Sequence, residues 1–213
     1  MANYLAIAAV AKTLLKLLED HCPRDEFAAA PQFVLYSGHD FQTPAVSEGF
    51  SLLVWRVAVN ATLRNQPARR TPEGRRRRPA LPLDLGLMVT PWSADAEGQL
   101  RLMGWALRFL EDHAVVPASL LNQALSDRTV PAFQPDEAIE LVQDSLAVPD
   151  YLGLWDKFRN RWQTSITCTV RMVNIDSDVS SVEGPPVQVR DIRYGQPAAP
   201  GAAWPAPSAE RPA

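Results

Sequence analysis

The feature that most constrains this chain is a strand in which every second side chain is a branched aliphatic one. In residues 83–90, Leu83, Leu85, Leu87 and Val89 alternate with Asp84, Gly86, Met88 and Thr90, a period of two that an extended strand places on opposite faces. A second stretch, residues 50–59, is apolar on both faces. Leu53, Trp55, Val57 and Val59 share one, and Phe50, Leu52, Val54 and Ala58 share the other with Arg56. Such a strand needs cover from two sides, so the chain has to build a layered sheet with helices packed on it. Its 213 residues suit one domain, or one domain plus a tail, with a substantial core.

The helices follow from the other period. From Asn3, which is placed to cap, to about His21, the side chains Ile7, Val10, Ala11, Leu14, Leu17 and Leu18 fall on one side and Lys12, Lys16, Glu19 and Asp20 on the other. Leu5 alone is apolar on the polar side, which points to contact with another subunit. After the central strand, Pro91-Trp92-Ser93 is expected to turn the chain into a helix capped by Ser93, with Asp95 and Glu97 near its positive end. Leu102, Met103, Ala106, Phe109 and Leu110 make its buried face, Glu97, Arg101, Gly104, Arg108 and Glu111 its wet one, and Trp105 lies on the boundary. Shorter elements are expected as strands at 32–36, 138–143, 164–175 and 187–194, and helices at 119–125 and 149–159. The strings LLEDH (17–21) and FLEDH (109–113) read as two similar helix ends, not an internal repeat. Residues 195–213 are a Pro/Ala tail with one large apolar side chain, Trp204, expected to be disordered. The ordered domain is placed at 1–194.

The residues offer little chemistry. Two cysteines, Cys22 and Cys168, form no CxxC pair and no disulfide framework, and Cys168 reads as a reduced core residue. The N-terminus has no basic segment before its apolar part, and no run approaches the ~18 apolar residues of a membrane span. These features fit a reducing, cytoplasmic setting and no membrane. His21 and His113 fall at helix C-termini, where the dipole favours them. No HxxxH, HExxH or Cys/His spacing suggests a metal. Ser37-Gly38-His39-Asp40 holds the residue types of a triad but as a contiguous turn. Asp176-Ser177-Asp178 with Glu183 lacks the glycine and bidentate glutamate of a calcium loop. There is no glycine-rich phosphate loop. Catalytic, cofactor and metal residues are therefore expected to be none, and the protein is not expected to be an enzyme.

The remaining oddity is RRRRPALPLDLGLMVTPW, residues 75–92. Residues 64–78 contain seven arginines and one acid, a local +6 in a chain of net charge −3, so the remainder carries −9. A nucleic-acid reader wants basic residues along a groove-fitting helix or interleaved with stacking aromatics. This segment has no aromatic and is broken by Pro67 and Pro72. A solvated loop is favoured, ahead of a docking element for an acidic protein surface. Nucleic-acid binding or an adaptor role through residues 64–78 is the alternative.

The start MANYLAIAAVAKTLLKLLED, the middle RPALPLDLGLMVTPWSADAEGQLRLMGWALRFLED and the strand SITCTVRMVNID together resemble the cap, or tail-terminator, proteins of phage-tail-like contractile injection systems. The resemblance covers about residues 1–193. It implies an α/β (α+β) fold with a mixed, mainly antiparallel sheet flanked by helices. It also implies a homohexameric ring that ends the inner tube, anchors the last sheath layer, and has the tube and sheath proteins as partners. Nucleic acid then has no obvious role. The residues expected at protein contacts are Leu5, Arg75, Arg76, Arg77, Arg78, Trp92, Arg101, Trp105 and Arg108.

Overall fold

The computed structural model describes residues 2–42, 46–67, 69–70, 76–125, 130–158 and 162–179, with the backbone alone at 69, 70 and 76. Strands β1 (Gln32–Tyr36), β2 (Gly49–Val59), β5 (Leu81–Trp92), β6 (Val115–Pro117), β7 (Ala138–Gln143) and β8 (Ile166–Ile175) form one sheet in the order β1-β2-β5-β8-β7-β6. All neighbouring pairs are antiparallel except β1–β2. A separate two-stranded piece, β3 (Arg69–Arg70) with β4 (Arg76–Arg77), lies in the connection between β2 and β5. The helices are α1 (Ala6–His21), α2 (Ala96–Asp112), α3 (Ala118–Gln123) and α4 (Val148–Asp156). The expected mixed, mainly antiparallel sheet with flanking helices is what forms.

The alternation in β5 divides two cores. Leu83, Leu85, Leu87 and Val89 join Phe50 and Leu52 under the apolar faces of α1 and α2. Met88 and Trp92 point the other way, with Leu53, into an aromatic cluster of Tyr36, Phe41, Trp155 and Phe158. Phe41 stacks on Phe158 at 4.4 Å and meets Trp155 edge-on at 5.4 Å. The buried face of α2 is the predicted one, Leu102, Met103, Ala106, Phe109 and Leu110, joined by Gly98.

Several boundaries differ, each for a physical reason. The central strand continues through Pro91-Trp92, because Gly49 and Phe50 pair with these residues. Asp95, in extended conformation, caps α2 in place of Ser93, its carboxylate accepting the Gly98 N–H at 2.7 Å. At α1 the N-cap position belongs to Leu5, which is already helical. Asn3 instead closes the preceding turn, accepting the Leu5 N–H at 2.9 Å, and donates its own backbone N–H to Ala132. A short strand, β6, forms where none was expected. The expected strand at 187–194, the tail and the domain limit at 194 lie outside the described residues.

The expected cover on both faces of residues 50–59 holds only for the first half. β1 reaches Leu53 opposite Tyr36 and stops. Between Val54 and Arg56 the register against β5 slips by one residue, so Trp55 is bulged. The slip moves Val57 and Val59 off the face of Leu53 and opposite Leu85 and Leu83, where they stand 50% and 43% exposed. The indole of Trp55 lies over Gly86, where a Cβ would come within 2.7 Å of the ring. A second bulge puts Met172 of β8 at φ 68°.

Gly49 opens β2 at φ +126°, and a Cβ there would sit 2.0 Å from the carbonyl oxygen of Gln32, its partner in the parallel pair. Gly49→Ala is expected to cost about 2–3 kcal/mol. The expected readout is a lower urea midpoint at unchanged slope.

Candidate assembly surface

Several residues of the arginine segment have defined partners. Asn60 starts it: its side chain accepts the N–H groups of Thr62 and Leu63 at 3.0 and 3.1 Å, while its amide reaches Asp84. Its backbone N–H donates to Pro82. Further out, β3 and β4 pair with Arg69 opposite Arg77 and Arg70 opposite Arg76. What was expected to be a loop is thus a short hairpin, its strands too brief and polar to show a period. On the inner side Arg77 comes within 3.8 Å of Asp178, and the Arg78 N–H donates to Val179, so β4 is tied to the exit of β8. Arg64, Arg77 and Arg78 are exposed. Arg75 lies outside the described residues, and Arg76 is placed by its backbone alone.

The other expected contact residues scatter. Trp92 is buried, its indole N–H donating to Ser51 Oγ at 2.9 Å, so it serves the aromatic core. Leu5 packs half-buried against the core of its own chain, so the argument from an exposed apolar side chain no longer applies to it. Trp105 is half-buried, stacked on Phe109 at 5.1 Å and close to Phe50. Arg101 is held by Glu26, in the turn after α1, at 2.7 Å and by Glu97 at 2.8 Å, and Arg108 by Asp112, both arginines on the exposed face of α2. Only Arg77 and Arg78 of the expected set share a patch with side chains in place. The exposed Val57, Val59 and Leu81, at the end of the sheet where the segment leaves and rejoins it, were missed. The bulge at Trp55 that exposes the valines leaves no trace in the hydrophobic pattern.

Elsewhere the arrangement is structural. Ser37 donates from both its backbone N–H and its hydroxyl to Asp40 at 2.7 Å, which closes the turn and holds that carboxyl below its ordinary pKa. His21 and His113 each bond a carbonyl four residues back, Leu17 and Phe109, and meet 5.7 Å apart beside Phe109. The two similar helix ends therefore converge in space. A groove lined by Trp55, Pro149, Gly153 and Leu154 runs between β2 and α4. Among the described residues there is no cluster of metal-ligating side chains, and no helix is long and apolar enough to cross a membrane.

The sheet and its helices have the fold of proteins that end the tubes of contractile injection systems. The structure is similar to the sheath/tube terminator of the extracellular contractile injection system PVC in its extended state, with a TM-score of 0.56, 16% identity, and cover of 90% of this chain and 64% of that one. It is also similar to the tube-terminating cap of the anti-feeding prophage, with a TM-score of 0.55, 14% identity, and cover of 87% and 60%. This chain spans less than two thirds of the length of either. The sequence matches the Pvc16 N-terminal domain over residues 9–189, and the chain belongs to that family. A comparison with curated proteins gives no match.

Both thiols are buried and free, and burial pushes each from an ordinary pKa of 9.0 up to about 12, at Cys22 against a partial pull from Arg24. A folded-state pKa that is raised on an acid favours folding below the unfolded value and loses that contribution as pH rises from about 9 towards 12. Stability is therefore expected to fall from about pH 9 upward, and to fall less in Cys168→Ala, as measured by urea unfolding between about pH 9 and pH 11. At about pH 8 the native thiols are expected to resist iodoacetamide and to react only in denaturant.

Proposed function

We propose that this protein caps the inner tube of a contractile injection system. It acts as a structural ring, six copies on the strength of the family resemblance, that stops the tube and anchors the last layer of sheath. The observation that carries this reading is the likeness, over 90% and 87% of the chain, to two proteins that end such tubes. The membership in the Pvc16 N-terminal domain family supports it. The ring is proposed to assemble in the cytoplasm as part of the particle, with tube and sheath proteins as its partners.

The test is electron microscopy of tubes made with and without this chain, beside the tube and sheath proteins of the same system. Tubes of defined length with a six-fold density closing one end are expected when it is present, and long tubes of scattered length when it is absent. Unchanged lengths, or tube ends that never carry it, would overturn the reading.

A further inference from the structure

We propose that His21 and His113 together bind one divalent transition-metal ion, of the zinc, nickel or copper type, through their Nε2 atoms. The proposal does not depend on the cap reading above.

The two histidines close helices with nearly the same last turn, LLEDH in α1 and FLEDH in α2, His21 as the last residue of one and His113 as the C-cap of the other. Each ring donates from Nδ1 to a carbonyl one turn back, Leu17 at 2.9 Å and Phe109 at 2.8 Å. A carbonyl only accepts, so in the neutral ring the proton sits on Nδ1 and the lone pair on Nε2. That is the state in which histidine ligates a metal, its second nitrogen held by a backbone oxygen. Neither Nε2 has a hydrogen-bond partner among the described residues.

Spacing makes the pair a site. The ring centroids lie 5.7 Å apart. With zinc about 2.0–2.1 Å from each nitrogen, and roughly 1.1 Å from nitrogen to ring centre, two imidazoles on one tetrahedral ion stand about 5–5.5 Å apart. The rings need only a small adjustment to reach that separation. Phe109 holds them from the side, its own ring 5.2 Å from His21 and 4.1 Å from His113. His21 is exposed and His113 half-buried, so a hydrated ion can reach both.

The surroundings favour a cation. The carbonyl ends of two helix dipoles meet here. Glu19, Asp20, Glu111 and Asp112 fall in the same last turns, and the cations nearby are committed: Lys16 to Asp20, Arg24 to the Glu19 carbonyl and Arg108 to Asp112. A dipole accounts for one histidine at each helix end. It does not account for the two meeting, since a pair of imidazolium charges at this separation would repel.

The donor set names the metal. Imidazole nitrogen suits zinc, nickel and copper, whereas magnesium and calcium take oxygen. Cys22 follows His21 in sequence but packs into the core, so no sulfur joins the pair. The described residues hold no cluster of three metal-ligating side chains, so water completes the shell and the site is open. The bound ion would clamp the ends of α1 and α2 together.

Isothermal titration of zinc, nickel or copper(II) salts into the full chain, made without a histidine tag, tests this. The wild type is expected to bind one ion per chain, to unfold at higher urea in its presence, and to lose that gain when EDTA is added. His21→Gln and His113→Gln are each expected to weaken binding about tenfold or more while circular dichroism stays native. His39→Gln, in the turn closed by Ser37 and Asp40, is expected to bind as the wild type does. Electron paramagnetic resonance with copper(II) is expected to show two coordinated nitrogens in the wild type, a reading that needs no variant to fold. A wild type that does not bind, one nitrogen in its copper spectrum, unchanged binding in either histidine variant, or binding lost in His39→Gln would overturn the proposal. Neither tube nor sheath protein enters these measurements, so the cap reading stands or falls separately.

Discussion

The structure depends on a single strand being buried from both sides. β5 hydrogen-bonds to β2 on one flank and β8 on the other, and its side chains feed two different cores. Leu83, Leu85, Leu87 and Val89 supply the floor on which α1 and α2 lie. Met88 and Trp92 supply the floor for the aromatic cluster. At roughly 1.5–3 kcal/mol for each large apolar side chain taken fully out of water, these six positions outweigh any exposed ion pair in the molecule. The helices are attached to this strand. They would have little reason to be helices in solution without it, since helices of such length are marginal alone.

What could be read from the sequence is what depends on period. The alternation in β5, the stripe on α2 and the short strands 32–36 and 138–143 are local patterns, and they form where the patterns place them. What could not be read depends on a neighbour. The bulge at Trp55 exists because Gly86 on the adjacent strand leaves room for an indole, a fact about two residues thirty-one apart. It reverses the facing of Val57 and Val59, which alternation alone assigns to the wrong side. Trp92 had the look of an exposed aromatic after a proline, and Ser51 across the sheet makes it a core residue. Ser93 is as good a cap as Asp95 by type. The two extra residues of strand, drawn out by pairing with Gly49, decide between them.

The candidate surface was legible as composition and not as geometry. Seven arginines within residues 64–78 announce a need for anions. They do not say that some of them pair across a hairpin, or that exposed valines stand at the end of the sheet that the segment leaves.

The N-terminal residues have a bearing on how the chain acquires this shape. Ala2 bridges Ile175, its N–H donating to Asn174 and its carbonyl accepting from Asp176, so the first turn of the chain is pinned beside the end of β8. The central pairing of β5 with β8 likewise waits for residues more than seventy positions downstream. Contacts of that separation pay their loop-closure entropy before they return anything, and they slow folding. A nascent chain can zip β2 to β5 early, but it cannot seal its core until residue 175 has left the ribosome. Until then β5 keeps an open strand edge on its β8 side, where another chain could pair with it.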